Sequence, residues 1–335
     1  MKDGRRVAVI LFQLGGPDSL DAIEHFLYNL FSDPDIIDFP FARLARKPLA
    51  RLVAHHRAGK VRQHYAEIGG RSPIIDLTQA QARALECALH DHFDARVFVA
   101  MRYWHPLADE VVAELKRQPC DELVLLPLYP QFSRVTSGSS LNEWRRQWAR
   151  AGMPEVPTRV IRDFYRHTLY LDAVVEKINE RLARFPAAAP VALVFSAHGI
   201  PQDIVDAGDP YQEQVEATVA LLMSRGGWPH PHRLCYQSKV GPGRWLQPIL
   251  HSTLRELAAA GTENVLVVPI AFVTDHIETL HEIDIEARAD AAALGLRRFE
   301  MTPGLNDSPT FVRALADLVL EAVREEVGFL ASDSS

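Results

Sequence analysis

Two doubly wound α/β domains, each with a four-stranded parallel sheet flanked by helices, are predicted by three observations. Short apolar runs alternate with longer amphipathic stretches along nearly the whole chain, the pattern of strand and crossover helix. The order occurs twice, and the third runs of the two halves look alike: Leu123-Val-Leu-Leu-Pro-Leu-Tyr-Pro against Val265-Leu-Val-Val-Pro-Ile-Ala-Phe. The length of 335 residues suits two domains of roughly 150 residues each rather than one core. We expect an amino-terminal domain over 1–165, with an apolar lip and a basic segment within 20–75, and a carboxy-terminal domain over 166–335.

The elements follow in order. Val7 to Leu14 reads as a strand, and Gly15-Gly16-Pro17-Asp18-Ser19 turns the chain into an amphipathic stretch from Leu20 to Phe31. The GxGxxG spacing is missing and Pro17 removes an amide, so the glycines are expected to serve close approach of backbone to a flat or bulky ligand rather than a phosphate. Phe26 to Phe41 is unusually apolar for a connection: either the core face of a helix or an exposed lip that receives an apolar ligand or a membrane surface. From Phe41 to Arg71 eight Arg and Lys residues face one acid, Glu67; the segment is either a solvated face or a cradle for carboxylates.

Asp76 to His92 reads as a helix. Then come strand Arg96 to Met101, helix Leu107 to Arg117, strand Glu122 to Leu128, helix Ser139 to Ala151 and strand Thr158 to Ile161. After a helix from His167 to Arg184, the second half has strands Val191 to Ser196, Arg233 to Gln237, Asn264 to Ile270 and Arg297 to Met301, with a last helix over Pro309 to Val327 that packs back on either domain.

Composition narrows the function classes. With 47% hydrophobic and 24% charged residues the chain reads as an ordinary globular protein. A net charge of −7 disfavours a nucleic-acid partner. Three cysteines without CxxC spacing indicate neither a disulfide framework nor a structural zinc site and fit a reducing, cytoplasmic setting. The apolar start is too short, and lacks the cleavage pattern, for a signal peptide, and no run reaches the roughly 18 to 20 residues of a spanning helix. Membrane contact would be peripheral; monomer and homodimer both remain open.

Two features carry chemistry. Val191-Ala-Leu-Val-Phe-Ser-Ala-His198-Gly is a buried strand ending in a histidine, and the carboxyl rim of such a sheet is where ligands bind. His198 is either a histidine satisfied by its loop or a base and metal ligand. In the second feature Thr274 is expected to cap a helix on which Glu278, Glu282 and Glu286 repeat every four residues. Like charges at that spacing repel, so the row is either a solvated face or a path that passes protons or a divalent cation. Both features begin at carboxyl ends of one predicted sheet and should meet in one cleft.

These stretches resemble a family. Leu14-Gly-Gly-Pro-Asp-Ser, Phe26-Leu-Tyr-Asn-Leu-Phe, Ser196-Ala-His-Gly-Ile-Pro, Tyr236-Gln-Ser-Lys-Val-Gly-Pro and Thr274-Asp-His-Ile-Glu-Thr-Leu-His-Glu-Ile-Asp are similar to the ferrochelatases, in order and over nearly the whole chain. The resemblance implies a lyase that inserts Fe2+ into protoporphyrin IX to make protohaem, with release of two protons, in the last step of haem b synthesis. It implies that His198 and Glu278 bind iron and accept protons, supported by Asp275 and His276, with Glu282 and Glu286 extending the carboxylate path. Tyr103 would face the porphyrin from the other domain, Trp245 would stack near it, and Arg57, Ser72 and Arg102 would meet its propionates or edge. Fe2+ is then a substrate and no cofactor is resident. Cluster-bearing relatives place one cysteine where Arg134 stands and three near a carboxyl end that here reads Gly328-Phe-Leu-Ala-Ser-Asp-Ser-Ser335, so no iron–sulfur cluster is expected. Relatives acting on coproporphyrin carry tyrosine where this chain has Leu14, which favours protoporphyrin IX. The alternatives are a coproporphyrin III ferrochelatase and a non-catalytic tetrapyrrole carrier; the carrier would not need the acidic row. A sirohydrochlorin chelatase fits the apolar lip poorly, and the missing phosphate-binding glycines disfavour a nucleotide-dependent oxidoreductase.

Overall fold

The computed structural model describes residues 3–36, 42–187, 189–238 and 243–324. In the first half β1 (Asp3–Gln13) lies between β2 (Phe93–Met101) and β3 (Glu122–Pro127), with β4 (Thr158–Val160) beyond β3, all parallel. The second half repeats the plan with β5 (Ala192–His198) between β6 (His232–Gln237) and β7 (Asn264–Pro269), and β8 (Arg298–Met301) outermost. The first strand of each half is central, which explains why its sequence is a continuous apolar run: both of its faces are covered.

Alternation along the central strands assigns those faces. Val7, Val9 and Leu11 of β1 and Leu193, Phe195 and Ala197 of β5 join one core between the two sheets. Ala8, Ile10 and Phe12 turn outward onto α4 (Ala108–Arg117) and α5 (Ser139–Arg150), while Ala192 and Val194 turn onto α9 (Leu250–Ala259). Each fully buried aliphatic side chain contributes about 1.5–3 kcal/mol. The shared core also takes Tyr170 and Ile178 of α6 (Thr168–Leu182) and Val215 of α8 (Tyr211–Gly226), which follows the short α7 (Gln202–Asp206). The last helix, α11 (Pro309–Arg324), packs against both α6 and α3 (Ile74–Leu89), seating Phe311, Leu315 and Val319 in that core. Residue 165 falls in the segment between β4 and α6.

Two helices lie over the end of β1. α1 (Ile23–Phe31) buries Ile23, Phe26 and Leu27 and leaves Leu30 and Phe31 half-buried, so the described part of the apolar lip is largely a helix core face; residues 37–41 of the lip lie outside the described residues. α2 (Ala42–Glu67) is a long helix across the basic segment. Its buried stripe is Ala50, Ala54, Ala58 and Tyr65, at helical spacing, whereas Leu49 and Leu52 are exposed.

The Gly15-Gly16 turn departs from its expected purpose. Gly15 has φ +83°, and a Cβ on it would sit 3.1 Å from the Trp104 amide nitrogen; a Cβ on Gly16 would sit 2.5 Å from Ser72. The glycines therefore admit the chain's own backbone and side chains rather than a ligand.

Candidate active site

β5 carries His198 to the cleft as its last residue. The turn that follows is tight: the Gly199 amide donates to the Gln237 carbonyl at 2.7 Å, and a Cβ on Gly199 would lie 2.8 Å from that oxygen. Half-buried Trp245 packs against this glycine, 3.6 Å from where such a Cβ would be. The Tyr211 hydroxyl donates to the His198 carbonyl at 2.9 Å, which fixes the strand end from the other side.

The acidic segment after β7 is a π-helix, Glu278–Ala287, continued by α10 (Arg288–Ala293). The sequence predicts an α-helix capped by Thr274. Instead the Thr274 hydroxyl is buried between the halves and accepts from Gln81 Nε2 at 3.1 Å, so it is not available as a cap. A second, five-residue π turn, Arg134–Gly138, precedes α5 at the corresponding place in the first half. π-helical turns are uncommon and concentrate at functional sites.

His198 Nδ1 lies 2.8 Å from Glu278 Oε2. The Ser238 hydroxyl lies 3.2 Å from the same oxygen and also contacts Glu282 Oε2. Burial opposes the His198 imidazolium, but the Glu278 carboxylate outweighs it and raises the histidine's proton affinity. Burial likewise opposes the Glu278 carboxylate, and His198 overcomes it to hold Glu278 below the usual carboxylate range. Glu282 goes the other way: burial and then the charge of Glu278 push its carboxyl up, so it holds a proton more readily than its neighbour. Three neighbouring groups, two in direct contact and the third reached through Ser238, thus have proton affinities driven apart, the arrangement that assigns donor and acceptor roles in a site.

His276 is buried, with Nδ1 3.0 Å from the Thr274 carbonyl and Nε2 4.0 Å from Glu278 Oε1. Its ring packs 4.5 Å from that of Phe272, and burial lowers its proton affinity. The cleft in front is lined by Gln13, Leu14, Tyr129 and Gln131 from the first half and by His198, Phe272, His276 and Glu278 from the second, with about 540 Å3 of space including its open mouth. Glu282 and Glu286 line a second recess with Ser238 and Asp290, so the acidic row runs from the cleft to a separate opening.

Other residues singled out from the sequence are placed differently. Asp275 does not face the cleft: its carboxylate accepts from Asn306 Nδ2 and the Gly304 amide, each at 2.9 Å, and from Thr279 Oγ1 at 3.2 Å, which ties down the start of the π-helix. Tyr103 and Arg102 do not reach the cleft lining either. The Tyr103 hydroxyl donates to Asp33 at 2.6 Å, and Arg102 donates through Nη2 to Asp33 at 2.8 Å and through Nε to Ser139 at 2.8 Å. Ser72 is buried beneath Gly16, and Arg57 is exposed on α2 with its guanidinium 5.6 Å from the Phe31 ring. Residues 239–242 of the Tyr236 motif lie outside the described residues.

Sequence reasoning passes over Tyr129, Gln13, Phe272 and Asp33. The first three follow or end central strands, a position that could have singled them out. Asp33 gives no local signal because its partners lie some 70 and 106 positions away.

Comparison with known proteins gives the family. The family model for ferrochelatase matches residues 6–323. The ferrochelatase of Geobacter metallireducens is 49% identical over 317 residues, 95% of this chain and 98% of that protein. That of a Nostoc species is 46% identical over 323 residues, 96% of this chain and 83% of that protein. Among solved structures, SirB from Bacillus subtilis with Fe3+ matches with a TM-score of 0.54 at 11% identity, covering 96% of each chain. CbiX, described as the terminal enzyme for biosynthesis of sirohaem in denitrifying bacteria, matches at 0.51 with 15% identity, over 95% of this chain and 99% of that one; at such identities the likeness concerns the fold. With a family match over almost its whole length and relatives near half identical, this chain belongs to the ferrochelatase family.

Proposed function

We propose that this ferrochelatase acts on protoporphyrin IX, with His198 as the base that takes the pyrrole protons and, with Glu278, as the group that meets Fe2+ beside the macrocycle. The family reaction is insertion of ferrous iron into a porphyrin to make haem, a lyase reaction. A flat porphyrin shields its nitrogens and carries two N–H protons where the metal must go. Bending the ring exposes the lone pairs, and contacts at its edge can supply the roughly 1–5 kcal/mol of strain that such distortion takes. The two N–H bonds break, the protons leave to the base, and the four nitrogens close on iron.

The observation that supports these roles is the 2.8 Å contact of His198 with Glu278 on the cleft wall. With Nδ1 held by Glu278, Nε2 is left for the macrocycle. A proton taken there can pass to Glu278 and, through the Ser238 hydroxyl, to Glu282, whose carboxyl accepts it more readily. His276 and Asp275 would act as positioning residues, one behind the carboxylate and the other under the helix start. Leu14, on the cleft lining across from His198, supports protoporphyrin IX over coproporphyrin III, because an aliphatic side chain there meets an apolar ring edge.

The reading includes no resident iron–sulfur cluster. Cys87 is exposed on α3, Cys120 precedes β3 and Cys235 is buried on β6, so these three lie in separate parts of the fold. It also includes a cytoplasmic enzyme with peripheral membrane contact: no helix among the described residues is long and apolar enough to cross a membrane, and exposed Leu49 and Leu52 on α2 stand among Lys47 and Arg51. The test is an anaerobic assay with Fe2+ and either porphyrin, followed by absorbance. Protoporphyrin IX should be metallated faster; equal or faster turnover of coproporphyrin III would reverse the assignment, and binding without metallation would make the chain a carrier.

A further inference from the structure

The π-helix carries a second cluster of histidine and carboxylate side chains on the side that faces α2. His281 is 2% exposed, and its ring lies parallel to that of His64 on α2, with centroids 4.0 Å apart and planes within 14°. Glu67 Oε2 lies 3.0 Å from His281 Nε2. Glu286 Oε1 lies 3.8 Å from His281 Nδ1 and 3.9 Å from His64 Nε2. His281 Nδ1 is buried and has no hydrogen-bond partner among the described residues.

Glu67 accepts from Nε2–H and so selects the tautomer in which Nδ1 carries a lone pair, the same device by which an outer carboxylate orients a metal-bound histidine. That lone pair then faces a carboxylate oxygen. The buried Nδ1 lone pair, facing a second acceptor and no donor, is unfavourable unless a cation joins the two.

We propose that His64, His281 and Glu286 form a divalent transition-metal site, separate from the His198–Glu278 pair, with Glu67 orienting His281. The three ligand atoms lie within 4.8 Å of one another. Two imidazoles and a carboxylate suit Zn2+ or Fe2+ rather than Mg2+ or Ca2+, which prefer all-oxygen shells. Bond lengths of about 2.0–2.2 Å require the three atoms to draw together. Stacked rings cannot both aim in-plane lone pairs at one ion, so one ring must turn. His64, with its side chain 22% exposed, and Glu286, at 50%, are placed to move; His281, at 3% and held by Glu67, is the fixed ligand. Glu286 is also the outermost member of the row that begins at Glu278, so the site stands at the outer end of the carboxylate path.

The experiment is calorimetric titration of Zn2+ near neutral pH into the full chain carrying His198→Ala, which disables the inner pair, without porphyrin. It therefore succeeds or fails independently of iron insertion. One Zn2+ per chain is expected. Adding either His64→Ala or Glu286→Gln should weaken it at least tenfold, and Glu67→Gln by about 10–100-fold, as loss of an orienting carboxylate does. His64 and Glu286 are partly exposed, so these variants keep the fold, whereas replacing buried His281 would disturb the packing around it. Co2+ in place of Zn2+ should give a visible band that the same substitutions remove. No zinc bound to the His198→Ala chain, or binding indifferent to His64→Ala and Glu286→Gln, overturns the proposal; the second result would mean that a proton alone joins His281 to Glu286.

Discussion

Asp33 and Glu278 are both carboxylates buried near the cleft, one in each half, and they differ in how many donors reach them. Asp33 is completely enclosed and accepts from the Tyr103 and Ser139 hydroxyls, each at 2.6 Å, and from Arg102 at 2.8 Å. Glu278 has His198 and Ser238 on one oxygen, while Oε1 has only His276 at 4.0 Å. A saturated carboxylate holds its surroundings in place: Asp33 joins the end of α1 to the loop after β2 and to the start of α5. A carboxylate left short of donors, beside a base and a cleft, keeps its proton affinity open to change. The same topology in both halves thus supplies one wall for shape and one for chemistry.

Replacing Glu278 with Gln should separate the two most sharply. Iron insertion should fall by about 10²–10⁴-fold, the usual worth of a positioned acid or base. Unfolding free energy should move less than it does in Asp33→Ala, and a Glu278→Gln chain with near-normal turnover would make the two carboxylates equivalent. Asp33→Ala should lower the stability to denaturant by about 3–5 kcal/mol, because it takes the near carboxylate from Arg102, whose side chain is 11% exposed and whose other carboxylate, Glu143, stands 4.0 Å away. A chain as stable as the parent would show that Asp33 does not hold that wall.

The pH profile gives a finer test. His198 must be neutral to take a proton, and Glu278 raises its proton affinity, so the acid limb of kcat/KM should fall above the usual histidine value of about 6.5. In Glu278→Gln burial acts without its counterweight, and the limb should move to lower pH. For stability the signs are opposite at the two ends. The contribution of His198 is present at low pH and is lost as pH rises through its raised value; that of Glu278 is present at higher pH and is lost as pH falls through its depressed one. The smallest effect belongs to Leu14→Tyr. A change of a few-fold in preference toward coproporphyrin III, about 1 kcal/mol, would tie specificity to the wall that lacks the reacting groups.

Much of this contrast is legible in the residues. The strands declare themselves because buried parallel strands are continuous apolar runs, and the four-residue spacing of Glu278, Glu282 and Glu286 marks one face of a helix. That spacing does not reveal that the backbone is π rather than α, since nearby side chains align in either. α2 is illegible as an element because its buried stripe is mostly alanine and its charges dominate. Nothing local to Arg102 and Tyr103 shows that Asp33, some 70 positions earlier, holds both. Nor does anything local show what holds Asp275: its partners Gly304 and Asn306 arrive from beyond β8.

The central claim, that the second wall reacts while the first wall shapes, is tested most directly in His198→Ala. Porphyrin binding, read by fluorescence, and anaerobic iron insertion should be measured on the same sample. Binding within a few-fold of the parent with insertion lost is the predicted outcome; insertion at a near-normal rate would contradict the assignment.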